Sequence, residues 1–180
     1  GAKSSINAHY NISFDGRAVV GDDPDDFNDQ SYGNGNVIGP KKEGAKHGTH
    51  VSGIIAADRE NNHGNKGVFD RAKIMVLRAV PDGDEYDKDV ALAIRYAVDN
   101  GAQIINTSFG KGYSPHKEWV WEALRHADKN NVLIVNAAGN SGANIDPGKK
   151  KTYITDEVKG KEIVSNFLTV GAVDYTYDEE

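Results

Sequence analysis

Three short stretches hold the residue types that could do chemistry. The first is His47-Gly48-Thr49-His50-Val51-Ser52-Gly53. A histidine directly before a glycine, at the mouth of a helix, can face a cleft, and imidazole takes and returns protons near neutral pH. Gly48 and Gly53 allow close backbone approach and tight helix packing. His50 lies three residues on, so the two histidines could instead hold zinc from one helical face. That reading lacks the glutamate that the usual metalloprotease pattern places between them, and a third ligand is not evident. His50 reads better as a side chain packed and hydrogen-bonded under the helix.

The second stretch is Ile104-Ile105-Asn106-Thr107-Ser108-Phe109-Gly110, and the third is Val135-Asn136-Ala137-Ala138-Gly139-Asn140-Ser141-Gly142. Each reads as a buried strand running out into small residues. Clefts in open parallel sheets form where strands end, at the carboxyl edge. Small residues there offer backbone groups to an extended ligand. A fixed side-chain amide such as that of Asn140 is a neutral donor for negative charge developing on oxygen. Either stretch alone also fits a plain strand-to-loop transition, and asparagine in Gly-Asn-Ser-Gly is a common turn former.

The elements that must position these residues follow from apolar spacing. Val51, Ile54 and Ile55 share a helical face after His47. Residues 72–80 are an apolar run broken only by Lys73 and Arg78, and read as a strand buried on both faces. Val90, Ala93, Ile94 and Ala97 predict a helix over 87–100 that Gly101 stops. Residues 103–107 and 131–138 predict strands around a helix over 115–130, whose inward side is Trp119, Val120, Ala123, Leu124 and Ala127. Residues 146–161 read as a lysine-rich loop and 167–173 as a last strand. This alternation predicts an α/β fold with a parallel sheet flanked by helices in three layers. Residues 1–45 form a separate irregular, acidic segment in which Arg17-Ala18-Val19-Val20 hints at a short strand; residues 46–180 carry the α/β pattern.

Taken together and in order, the three stretches resemble the subtilisin-like serine protease family (subtilases, peptidase S8). Residues 47–53 match its histidine motif, with Ser52 where alanine is usual, and residues 168–173 resemble the strand that follows the asparagine motif. The resemblance implies a subtilisin-like three-layer fold and a serine endopeptidase acting through an Asp-His-Ser triad on polypeptide substrates. It implies that His47 is the general base and Asn140 the oxyanion-hole donor. Ser108, Phe109 and Gly110 become the segment that pairs with the substrate backbone. With Ala137, Ala138 and Gly139 they wall the pocket for the residue before the scissile bond, whose small walls suit apolar or aromatic side chains. An extracellular or cell-envelope location and association with a propeptide are family implications too.

The family also needs an aspartate before the histidine and a serine in a Gly-Thr-Ser motif after the asparagine. Asp15, followed by Gly16, is a weak candidate for the former, and nothing after Val173 resembles the latter. The chain alone is therefore expected to be inactive, as an incomplete subtilisin-like domain. In the family the aspartate strand lies between the strands matching 72–80 and 103–107. Without it those two pair directly, leave a gap, or recruit a strand from another chain in an exchanged oligomer. The alternative reading is a degenerate subtilase that keeps a peptide groove without the chemistry.

Composition narrows the field further. The chain has 180 residues, net charge -6, 20 glycines and no cysteine. Such charge carries no basic footprint for nucleic acid, and no apolar run nears the roughly 20 residues that span a bilayer. No cofactor is required for the chemistry. Two loops are rich in oxygen ligands suited to structural calcium. One is residues 21–26, which also reads as plain solvated loop; the other is residues 58–67, where the family often holds calcium.

Overall fold

The computed structural model describes residues 10, 11, 13–80, 85–146, 149 and 152–173. They fall into two compact units. One comprises residues 1–23 and 29–84, and the other residues 24–28 and 85–180.

The first unit contains helix α1 (Arg17–Val20), a 3₁₀ turn (Lys42–Ala45) and helix α2 (Lys46–Ala56). Residues 17–20 thus form one helical turn, not the short strand expected. Asp15 Oδ1 accepts the amides of Arg17 (2.9 Å) and Ala18 (3.2 Å), which otherwise lack intrahelical partners. The run 72–80 forms no regular element and enters neither sheet, and Ile74, Met75, Val76 and Leu77 are all exposed. A two-sided buried strand was expected there. An apolar sequence makes a strand only where a neighbour offers ladder partners, and none of the described strands does so.

After α2 the chain makes a closed loop. Gly67 donates to the Ala57 carbonyl (2.9 Å), Val68 to Ile54 (3.0 Å) and Phe69 to Ile55 (2.8 Å), so the returning chain satisfies carbonyls at the helix end. A Cβ on Gly67 would lie 2.4 Å from the Ala57 nitrogen, so only glycine permits this approach.

The second unit holds the α/β part. Helix α3 (Asp87–Asp99) ends as expected, with Gly101 in the left-handed region at φ +83°. Strand β1 (Ile104–Thr107) leads to helix α4 (Lys117–Lys129) and strand β2 (Leu133–Ala137). A hairpin of β3 (Glu157–Val158) and β4 (Lys161–Glu162) precedes β5 (Phe167–Val170). The main sheet is parallel in the order β1-β2-β5, with Thr107 opposite Asn136 and Ala137 opposite Val170.

The core joins Val90, Ala91, Ile94 and Val98 of α3 to Val120, Ala123, Leu124 and Ala127 of α4, over Ile134 of β2. These are the i, i+4, i+8 and i, i+3, i+4, i+7 spacings of amphipathic helices. Trp119, expected inward, is half-buried. Two further expectations fail. Strand β1 is not buried, since Ile104 and Asn106 are exposed on the sheet's edge strand. Residues 146–161 are not all loop, because β3 pairs antiparallel with β4.

Candidate active site

His47 and His50 both lie in the first two turns of α2, and both are exposed. His50 is not packed beneath its helix as expected, because α2 has no buried residue for it to pack among. Among the described residues no three His, Cys, Asp or Glu side chains gather as a metal site, so zinc finds no third ligand. In the loop 58–67, Asp58 and Asn61 side-chain oxygens accept the amides of Glu60 (2.8 Å) and His63 (2.9 Å). Asp15 Oδ1 accepts the two α1 amides and lies in the same unit as the two histidines.

The other predicted residues belong to the second unit. Because β1 and β2 run parallel in register, their carboxyl ends deliver Ser108 and Ala138 to one sheet edge. A buried polar clasp fixes this edge. Thr107 Oγ1 donates to Asn136 Oδ1 (2.7 Å), and Asn136 Nδ2 donates to the carbonyls of Ala137 (3.1 Å) and Ile154 (3.3 Å). Asn136 is only 3% exposed, so its amide must be satisfied within the protein. Beyond the clasp, Ala138 donates to Val170 (2.9 Å). Gly139 then takes φ +98°, which an L side chain resists, and Asn140 follows on the exposed turn.

Beside Ala137 and Ala138 lies a recess of about 60 Å³. Its other walls include Asp146, Lys149, Thr152, Thr155 and Glu157. The lining thus joins small side chains and Ile145 to polar and charged ones. Sequence reasoning missed these residues because they arrive from a segment with no periodic signal. Asn136 was legible in principle, as a lone amide inside the apolar run from Val132 to Ala138.

Phe109 packs against the core and Gly110 is exposed. Lys111 then exchanges two backbone hydrogen bonds with Tyr153, each 2.8 Å. A second, much smaller recess of about 10 Å³ lies among Glu85, Asp87, Phe109, Lys111, Trp121 and Tyr153. Burial pushes the Glu85 carboxyl above its usual range. The Lys111 charge and a hydrogen bond from the Gly110 amide oppose that rise, and Asp87 adds to it.

Comparison with known proteins adds the context. The pattern of the subtilase family (peptidase S8) matches residues 6–179, taking in most of the N-terminal segment as well. A stretch of 99 residues is 44% identical to the cell wall-associated protease of Bacillus subtilis (strain 168), covering 54% of this chain and 11% of that one. Another of 129 residues is 37% identical to the major intracellular serine protease of the same organism, covering 71% of this chain and 37% of that one. Among solved structures, sphericase superposes with a TM-score of 0.52 at 29% identity, covering 68% of this chain and 44% of its own. The chain therefore spans well under two thirds of the length of these relatives. The likeness in structure makes the sheet and its helices an incomplete form of the subtilisin-like α/β fold. One relative is named for the cell wall and another for the cell interior. No helix among the described residues is long and apolar enough to cross a membrane.

Proposed function

The chain belongs to the subtilase family, and from that premise we propose that it is the histidine- and asparagine-bearing part of a serine endopeptidase. In the complete protein His47 takes the proton of the nucleophilic serine and returns it to the leaving amine. Asn140 donates to the oxyanion of the tetrahedral intermediate. An extended polypeptide lies along Ser108, Phe109 and Gly110 as an added strand. Ala137, Ala138 and Gly139 form one wall of the pocket for the side chain before the scissile bond. What best supports this reading is the parallel register of β1 and β2, which brings the two small-residue segments to one sheet edge.

Removing the nucleophile from such an enzyme costs roughly 10⁶ in turnover, as much as removing the whole triad. The chain by itself is therefore expected to show no peptidase activity. Inhibitor-sensitive cleavage of a fluorogenic peptide by the purified chain would overturn this. In a longer form of the protein that does cleave, Asn140→Ala is expected to lower turnover about 10²–10³-fold, the loss known for such an asparagine in a subtilisin. An unchanged rate would remove Asn140 from the site.

Three finer points belong to the same proposal. The exposed edge of β1 suits pairing with a further strand, from a propeptide, the rest of the domain or a second copy; a clean monomer on gel filtration would count against the last. A location outside the cytoplasm is supported by the cell wall-associated relative, with the intracellular relative standing against it. Structural calcium is tested by titration calorimetry on the purified chain, where absence of heat would end it.

A further inference from the structure

Asp87 stands in the first turn of α3, only 4% exposed. Three donors converge on its carboxylate: Lys111 Nζ at 2.8 Å, Ser114 Oγ at 2.7 Å and the His116 amide at 2.8 Å. Lys111 Nζ also donates to the Glu85 carbonyl. The Lys111 backbone is tied in both directions to Tyr153. Lys111 is therefore held by its side chain on one side and by its main chain on the other.

This matters for the three residues before it. At the far end of that short span, Thr107 is fixed by its bond to the buried Asn136. Ser108, Phe109 and Gly110 are thus a three-residue span anchored at both ends. Space at its end is tight as well, since a Cβ on Gly110 would lie 2.8 Å from the Tyr153 carbonyl oxygen. A segment that pairs with an incoming strand binds more tightly when its own backbone is ordered beforehand, because that ordering is not charged against association.

We propose that Lys111 is a positioning residue for peptide binding, its ammonium locked onto Asp87 so that Ser108, Phe109 and Gly110 are held ready for an added strand. This rests on the reading of those three residues as the peptide-pairing segment. Lys111 itself need not touch the peptide. Loss of its charge leaves Asp87 with two donors, so α3 keeps its anchor, while the span keeps its main-chain tie to Tyr153 and loses the side-chain half of its hold at that end.

The test uses the whole 180-residue chain and fluorescein-labelled casein, an unfolded polypeptide offering many extended segments. Binding is read by fluorescence anisotropy at a temperature where circular dichroism shows every variant folded. Lys111→Met is expected to weaken binding about tenfold, and Lys111→Arg, which restores the charge, by less than about threefold. Asp87→Asn added to Lys111→Met is expected to cost little more than either change alone, because both break one link. Ser114→Ala removes a single bond from Asp87 and is expected to fold and to give a smaller loss. Lys129→Met, an exposed lysine on α4, controls for net charge and should bind as the parent does. A parent chain that binds casein with Lys111→Met binding equally well overturns this inference alone. So does Lys111→Arg falling as far as Lys111→Met. A parent chain that binds no casein overturns the peptide-groove reading, and this inference with it.

Discussion

The two units of this protein obtain their order from different sources. In the second, α3, α4 and β2 share one apolar core, with Ala91, Ala123, Leu124, Ala127 and Ile134 at 0% exposure. In the first, only Arg17 and Gly67 are buried among the described residues. Its order comes from turns, short-range hydrogen bonds and the Arg17–Asp22 ion pair. Apolar burial is the dominant favourable term in folding, while a buried ion pair is largely offset by the desolvation of its two charges and turns supply little. The unit that carries His47 is thus locally shaped without a core of its own. The unit that carries Asn140 holds its shape by packing.

Hydrogen exchange should separate the two most widely. Amides of α3, α4 and β2 are expected to exchange at least about 10³-fold more slowly than those of α2, the spread between global and local opening. Equal protection would break the comparison. Truncation comes next. Leu124→Ala should cost about 2–5 kcal/mol in urea unfolding, whereas Ile54→Ala, at a site 52% exposed, should stay within about 0.5 kcal/mol. A large loss at Ile54 would mean α2 packs on something. Thr107→Val, which deprives Asn136 Oδ1 of its donor, should cost about 1–3 kcal/mol.

The smallest expected effect is in pH. Glu85 is raised, mainly by burial, so the folded chain holds its proton more tightly than the unfolded chain does. Its contribution is complete below the ordinary glutamate value of 4.5 and is lost as pH rises through the higher folded value. Glu85→Gln should therefore gain stability relative to the parent as pH rises above the ordinary glutamate value of 4.5. The gain is small, because the group is half-exposed and solvent screens it. A relative loss would reverse the sign and refute the cause given.

This contrast also explains what could be read from the sequence. Helices α3 and α4 and strand β2 were legible because their apolar spacing is satisfied inside the unit that contains them. Residues 72–80 carry an equally strong apolar signal and make no strand, since a strand is a property of two partners. The hairpin was missed for the opposite reason. Glu157 and Val158 face Glu162 and Lys161 across a turn in which Lys159 (φ 51°) and Gly160 (φ 78°) are both left-handed. That turn suits hairpins well, but Lys-Gly is not among its usual sequences. Asp87 reads as an ordinary acidic start to a helix; its burial among three donors depends on the 111–116 segment arriving from far along the chain. At the site, the sheet-edge residues followed from strand ends, while the polar wall of the recess came from a segment without pattern.

The closure at Gly67 has a practical corollary. The loop is closed at its base by hydrogen bonds to residues 54–57, and its tip through residues 58–66 is exposed. Doubling the tip's length would add only about 0.6 kcal/mol of closure entropy. The stretch after Asn62 is therefore a natural insertion point, where an affinity tag or a reporter peptide could be spliced in while His47 stays where it is. The absence of one atom, a Cβ at position 67, is what lets so permissive a handle close against the helix.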